Sequence, residues 1–340
     1  MKKYLLIFVI AAACVSASWG EAVATVSYID GWVDIKDSSG RTSEAFSGDE
    51  LSAGNSVITG KDSFAELLEK SGSTYKISPE TIFTVREMDV KGKKQNVLAL
   101  TLGEVAFKFK KVASEEPMIA TNSTVAGIRG TEFTVYAGAD GSTLIAVASG
   151  LVEVEAAGKS VELNPDEAVE VKPGDPPGEK FQLLGKKLDF STWNDGKKKD
   201  FLENPVAALE AVEKRLDYFN GKVLELHPVY LEWAEQLKED RKEFAKIQSE
   251  KGQNEALEFR EKVMSTSLAN TINLSLNVRY YALSSLSMRR FILGNMYAEI
   301  KTRFMTKLDD PVYREFENVY KRVLEKFEDT SIPQINETDI

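Results

Sequence analysis

The sequence predicts an α+β chain with its two structural classes in separate domains. An all-β antiparallel half comes first, as a sandwich, a roll or a short β-helix, and an antiparallel, coiled-coil-like helical half follows. Three observations carry this expectation. Residues 22–172 are almost wholly short alternating segments separated by Gly, Asn, Asp, Ser and Pro, the period of half-buried strands. Lys172-Pro173-Gly174-Asp175-Pro176-Pro177-Gly178 then breaks any regular element. Beyond Asn204 the apolar residues recur every third and fourth position, the period of a packed helix. With 340 residues, of which 43% are hydrophobic, both halves can bury cores of their own.

Residues 1–20 read as a signal peptide. Lys2 and Lys3 form a positive start, Tyr4 to Ala13 an apolar run too short to span a bilayer, and Ser18-Trp19-Gly20 a small-residue cleavage site. Ala11-Ala12-Ala13-Cys14 is also a weak lipobox, so lipidation of Cys14 is the alternative start and the one expected route to a membrane. Cys14 is the only cysteine, which excludes a disulfide framework, a thiolate metal site and a cysteine nucleophile downstream. Removal of Lys2 and Lys3 leaves 41 basic against 53 acidic side chains. Such a chain makes a poor nucleic-acid partner, because phosphate neutralisation supplies most of that affinity. The clusters Lys91, Lys93, Lys94 and Lys197 to Lys199 read as solvated turns.

Within residues 22–172, Asp37-Ser38-Ser39-Gly40 and Lys70-Ser71-Gly72-Ser73 read as turns between strands. Val105, Phe107 and Phe109 form one face of a strand, with Ala106, Lys108 and Lys110 on the other. Gly31 to Ile35, Gly103 to Phe107 and Gly150 to Val154 share a Gly-x-Val-x-apolar pattern, read as a strand that starts at glycine. The stretch Val125-Ala126-Gly127-Ile128-Arg129-Gly130-Thr131-Glu132-Phe133-Thr134-Val135 stands at the centre. Its glycines let the backbone bend, and Arg129 between them reads as an inward staple to a buried carboxylate or carbonyl, with an exposed anion site as the alternative. Trp32 is expected in the core rather than on a sugar-stacking platform.

Gly48-Asp49, Thr59-Gly60, Ser71-Gly72-Ser73, Gly103-Glu104-Val105, Ile128-Arg129-Gly130-Thr131-Glu132-Phe133 and Gly150-Leu151-Val152 occur in this order across residues 23–172. This succession resembles the FecR domain family. The resemblance implies an all-β module outside the cytoplasm of a diderm bacterium, with these residues as structural or interaction motifs, and it implies no catalytic residue. The family's founding regulators carry a cytoplasmic segment and a membrane helix ahead of the module. Here the module follows the signal peptide directly, so the extracytoplasmic part alone is expected to carry over.

Residues 173–203 read as a linker and packing segment in which Phe181, Leu183, Leu184, Leu188, Phe190 and Trp193 meet either neighbour. Asn204-Pro205 opens the helical domain, residues 204–329, as an N-cap with proline in the first turn. Leu209, Val212, Leu216, Phe219, Val223, Leu226, Tyr230 and Trp233 form a seam, interrupted at Pro228 by a kink or a helix junction. The seam reads as an internal core or as a face for a partner or a second copy. A break is expected near Gly252, a last helix from Pro311, and a disordered tail over residues 330–340.

His227 is the single histidine, which removes multi-histidine metal sites and a Ser-His-Asp triad. Beside Pro228 it reads as a partner for a helix C-terminus. No phosphate loop or dinucleotide fingerprint is present, and no carboxylate pair stands out by spacing. The expectation is therefore a non-catalytic cell-envelope protein that needs no cofactor and binds a protein partner or ligand through its β-domain. Its helices would dock or self-associate. An extracytoplasmic sensor acting through a separate membrane partner is the alternative, and an envelope carbohydrate-binding protein or hydrolase the third reading.

Overall fold

The structure, a computed structural model, describes residues 21–110, 117–186 and 188–337, without the side chains of residues 129, 130 and 328–337. The expected signal peptide and Cys14 lie outside the described residues. The first half holds strands β1 (Ala24–Asp30), β2 (Val33–Lys36), β3 (Thr42–Glu44), β4 (Glu50–Leu51), β5 (Ser56–Thr59), β6 (Phe64–Glu69), β7 (Thr74–Ile77), β8 (Ile82–Val90), β9 (Lys93–Lys108), β10 (Met118–Thr121), β11 (Val125–Ala137), β12 (Thr143–Ala156), β13 (Lys159–Leu163), β14 (Glu167–Val171) and β15 (Phe181–Gln182).

Strand β9 is the hub. Its first half pairs with β8 on one edge and β10 on the other, and its second half pairs with β7 and β11. The change of partners falls at Gly103, where φ is +103° and an added Cβ would lie 2.6 Å from the Thr81 Cα. Only glycine fits both the conformation and the approach. Gly150 (φ +83°) stands inside β12 in the same way, between the part paired with β14 and the part paired with β13. The recurring pattern thus marks bends within long strands at Gly103 and Gly150, not strand starts. Gly31 (φ +77°) is the turn before β2.

One pairing departs from the antiparallel expectation. β10 runs parallel to β9, with Met118 to Thr121 opposite Val97 to Leu100. β11 pairs with β9 only from Gly103 to Lys108, so the edge of its first half is open, and the short β10 occupies it. Where the chain reverses, the turns follow their chemistry. Gly72 (φ +85°) closes the β6–β7 hairpin, and Asp37 caps the β2–β3 hairpin by accepting from Ser39 N at 2.9 Å and Arg41 N at 3.0 Å.

The β core gathers around five rings, Tyr75, Phe83, Phe107, Phe109 and Phe133, with contacting centroids 5.1–6.3 Å apart. Phe133 and Val135 face this core, while Tyr136 on the opposite face of β11 packs under Leu183, Leu188, Phe190 and Trp193. Phe181 and Leu184, also expected to pack there, are exposed. Trp32 is 65% exposed, against expectation: after the turn at Gly31 it is Val33 that points inward.

The second half is helical: α1 (Phe190–Glu203), α2 (Pro205–Lys251), α3 (Gln253–Phe259), α4 (Ser265–Met288), α5 (Gly294–Arg303) and α6 (Pro311–Glu337). Single π-helical turns, Arg260–Met264 and Arg289–Leu293, join α3 to α4 and α4 to α5. Helix α2 continues through Pro228. His227 therefore sits mid-helix, 7% exposed and stacked on Tyr230, and serves no helix terminus. Its neighbours Val223 and Tyr230 pack on Val278 and Ala282 of α4, which holds the segment despite the hydrogen bond that proline removes. The break at Gly252 is real (φ +97°). Helix α6 runs on to Glu337, through most of the residues expected as a disordered tail, and buries Phe316, Val319, Val323 and Phe327 along one face. Lys197 lies in α1 and pairs with Glu170 at 2.6 Å, so that basic cluster is no turn. Among the described residues, no helix is long and apolar enough to cross a membrane.

Candidate functional site

Strand β8 shows how the two halves meet. Phe83 and Val85 point into the β core, and Arg86, on the opposite face, is covered by α4. The Arg86 Nη1 donates to Ser284 Oγ at 2.7 Å, and Nη2 to Ser287 Oγ at 2.6 Å and Leu283 O at 3.4 Å. All three acceptors are neutral. Burial pushes the guanidinium below its ordinary pKa, yet an arginine stays charged. Nearby, Val97 of β9 and Ala120 of β10 pack on Tyr280, and Asn277 accepts from Asp89 N at 2.9 Å.

A second buried arginine comes from the helices. Arg215 of α2 donates through Nε to Asn122 O at 2.7 Å, and its guanidinium lies over Phe219 at 4.5 Å and Tyr218 at 4.8 Å. Asn122 in turn donates to Thr101 O at 2.7 Å. It belongs to the turn that leads into β11, where Thr121, Ser123 and Thr143 form a buried hydroxyl chain at 2.6 and 2.7 Å. The helices therefore grip the residues that immediately precede the motif strand.

Beside Arg86 the junction opens into a cleft of about 680 Å³. The β2–β3 hairpin and β5 form one wall, and the π-helical turn with α6 forms the other. Lys36, Arg86, Arg289 and Arg290 line it, with Ile58, Ile82, Leu283, Leu286, Phe291 and Leu324 between them. Its one carboxylate among the described residues, Asp37, is held by Ser39 and Arg41, and these bonds keep its pKa at about 2. Burial and the neighbouring Arg290 both lower the Lys36 pKa, so two like charges face the same space. Arg289 lies over the Phe327 ring, and Arg290 over Phe291.

The residues singled out from the sequence fall elsewhere. Gly48 and Asp49 make a turn in which Asp49 accepts from Phe46 N at 2.8 Å. Thr59 donates to Ser78 O at 2.7 Å and accepts from Thr81 N at 2.9 Å, while Gly60 N bonds Trp32 O. Gly103 and Gly150 are bends, and Val105, Ile128 and Phe133 are core. Thr131 is buried, and its carbonyl accepts from Phe109 N at 3.0 Å. Arg129 pairs through its backbone opposite Leu151, and the staple expected of its side chain lies outside what the structure describes. Leu209, Val212, Leu216 and Phe219 pack on Met288, Ile292, Met296 and Phe316, with Leu226 and Trp233 half-buried further along α2. Among the described residues, none of these lines the cleft. No local pattern in the sequence marks Arg86, Arg215, Lys36 or Arg290. The uninterrupted run Val97-Leu98-Ala99-Leu100 marks a strand covered on both faces, and it was the available signal that something packs outside β8 and β9.

Residues 55–153 match the model of the family described as FecR protein. Two crystal structures of a candidate anti-sigma factor from Parabacteroides distasonis, at 2.50 and 1.65 Å, are similar to the chain at 15% identity and a TM-score of 0.31. Each match covers 37% of this chain and 59% of that protein. No curated protein matches the chain. The family match lies inside residues 22–172, spans β5 to β11 and most of β12, and includes the bend at Gly103 and the strand that follows Asn122. The chain thus carries a FecR domain, matched over residues 55–153.

Proposed function

We propose that this is an exported, non-catalytic protein of the bacterial envelope, a binding module whose ligand sits in the cleft between the FecR-type β region and the helices. The cleft itself carries this reading: its cations come from both halves, Lys36 and Arg86 from strands, Arg289 and Arg290 from the π-helical turn. An occupant would touch both halves at once. Among the described residues the cleft's one carboxylate is already satisfied within its own hairpin, which favours binding over acid–base chemistry. Any state of the cleft would also be felt at Asn122 through the shared helices, which supports the sensor variant, with the helical region docking on a separate envelope protein.

Site-specific photocrosslinking in the native host tests this. A photoreactive residue replacing Leu324 in the cleft wall should give a defined adduct, and one replacing the exposed Lys159 of β13, outside the cleft, should not. Equal labelling at the two positions, or none at Leu324, contradicts the reading.

A further inference from the structure

The cleft concentrates positive charge in a chain whose formal net charge is −10. Among the described residues, no carboxylate pairs with Lys36, Arg86 or Arg290, although this chain has 53 acidic side chains. Arg86 is 8% exposed and bonds only neutral oxygens. A buried cation without a counter-charge is costly, and an anion placed beside it offsets that cost. Lys36 and Arg290 add to the demand, because they approach from opposite walls and repel each other.

The space between these cations is apolar. Ile58 and Ile82 on the sheet side face Leu283, Leu286 and Phe291 on the helix side, and Leu324 closes one flank. A small inorganic anion would satisfy the charges and leave these walls bare. About 680 Å³ is the size of site that encloses an extended small molecule. The π-helical turn Arg289–Leu293 supplies both chemistries at once, a cation at Arg290 and an apolar wall at Phe291, and such turns recur at binding sites.

From this pairing of charge and apolar wall we propose that the cleft binds a single-chain anionic amphiphile, its carboxylate or phosphate head between Lys36, Arg86 and Arg290 and its hydrocarbon chain along Leu283, Leu286 and Phe291. The proposal rests on the cleft being the ligand site. Calorimetric titration of the purified protein with dodecanoate, dodecyl phosphate, dodecyl maltoside and inorganic phosphate tests it. One or both anionic amphiphiles should bind saturably at one per chain, and the stronger of the two identifies the head group. Dodecyl maltoside and inorganic phosphate should each bind at least tenfold more weakly. Lys36→Glu with Arg290→Glu should weaken the anionic amphiphile at least thirtyfold, and the milder Lys36→Ala severalfold, with unchanged circular dichroism.

Equal binding of dodecyl maltoside, equal binding of inorganic phosphate, or affinity unchanged in the charge-reversed protein would overturn the proposal. A Leu324 adduct in cells with no amphiphile binding in solution would overturn the ligand class and leave the cleft as the ligand site. Absence of both would overturn the two together.

Discussion

Phe83 and Arg86 lie three residues apart on β8 and face opposite ways. Phe83, with no exposed surface, joins a cluster of aromatic rings, and Arg86 enters a contact made of serine hydroxyls and a carbonyl. The difference sets how each region responds to change. The aromatic face is held by close packing, which any lost volume weakens. The junction is held by directional bonds to a charge, which can be exchanged for bonds to a ligand at small net cost. The strand therefore joins a fixed core to an adjustable interface.

The largest expected effect lies on the core face. Phe107→Ala empties the centre of the ring cluster and should cost about 4 kcal/mol, measured by denaturant unfolding. Gly103→Ala follows at about 3 kcal/mol, since the new methyl meets the Thr81 backbone and the residue must keep a positive φ. Arg86→Ala removes charge-assisted bonds at the junction and should cost about 2 kcal/mol. Arg86→Lys should fail to restore it, because one ammonium cannot reproduce the forked contact with Ser284 and Ser287. A core loss smaller than the junction loss would reverse the comparison.

The smallest effect is within the helices. Glu213 of α2 accepts from Arg322 Nε of α6 at 3.0 Å and pairs with Lys326 at 2.8 Å, and the Arg322 bond leads in holding its pKa below the ordinary carboxylate value. Its contribution is present above the unfolded carboxylate value of about 4.3 and is lost as pH falls through the lower folded value. Glu213→Gln should therefore cost about 1 kcal/mol at neutral pH. Stability curves of the two proteins should converge below about pH 4. Parallel curves across that range would remove Glu213 from the account.

Local signals made most of this fold legible. Alternation located the β half, Gly72 and Asp37 marked their hairpins, and the spacing from Leu209 to Phe219 marked a helix face that the structure buries. The residues that carry the FecR resemblance are turns, bends and core positions, and the family match covers those from residue 55 onward. What the sequence hid is relational. Arg86 alternates with core residues like any solvated strand residue, and only α4, almost 200 positions later, makes it buried. The mid-helix Pro228 and the exposed Trp32 show the converse, where a strong local cue gives way to the packing of its neighbours.

Hydrogen exchange of the native protein beside a variant carrying both Arg86→Ala and Arg215→Ala tests the adjustable junction most directly. Exchange should quicken in α4 from Tyr280 to Met288, in β10 and in the outer part of β8, with β11 from Phe133 to Ala137 and its partners in β12 unchanged. Uniform loss of protection through β11 and β12, or no change at the junction, would contradict it.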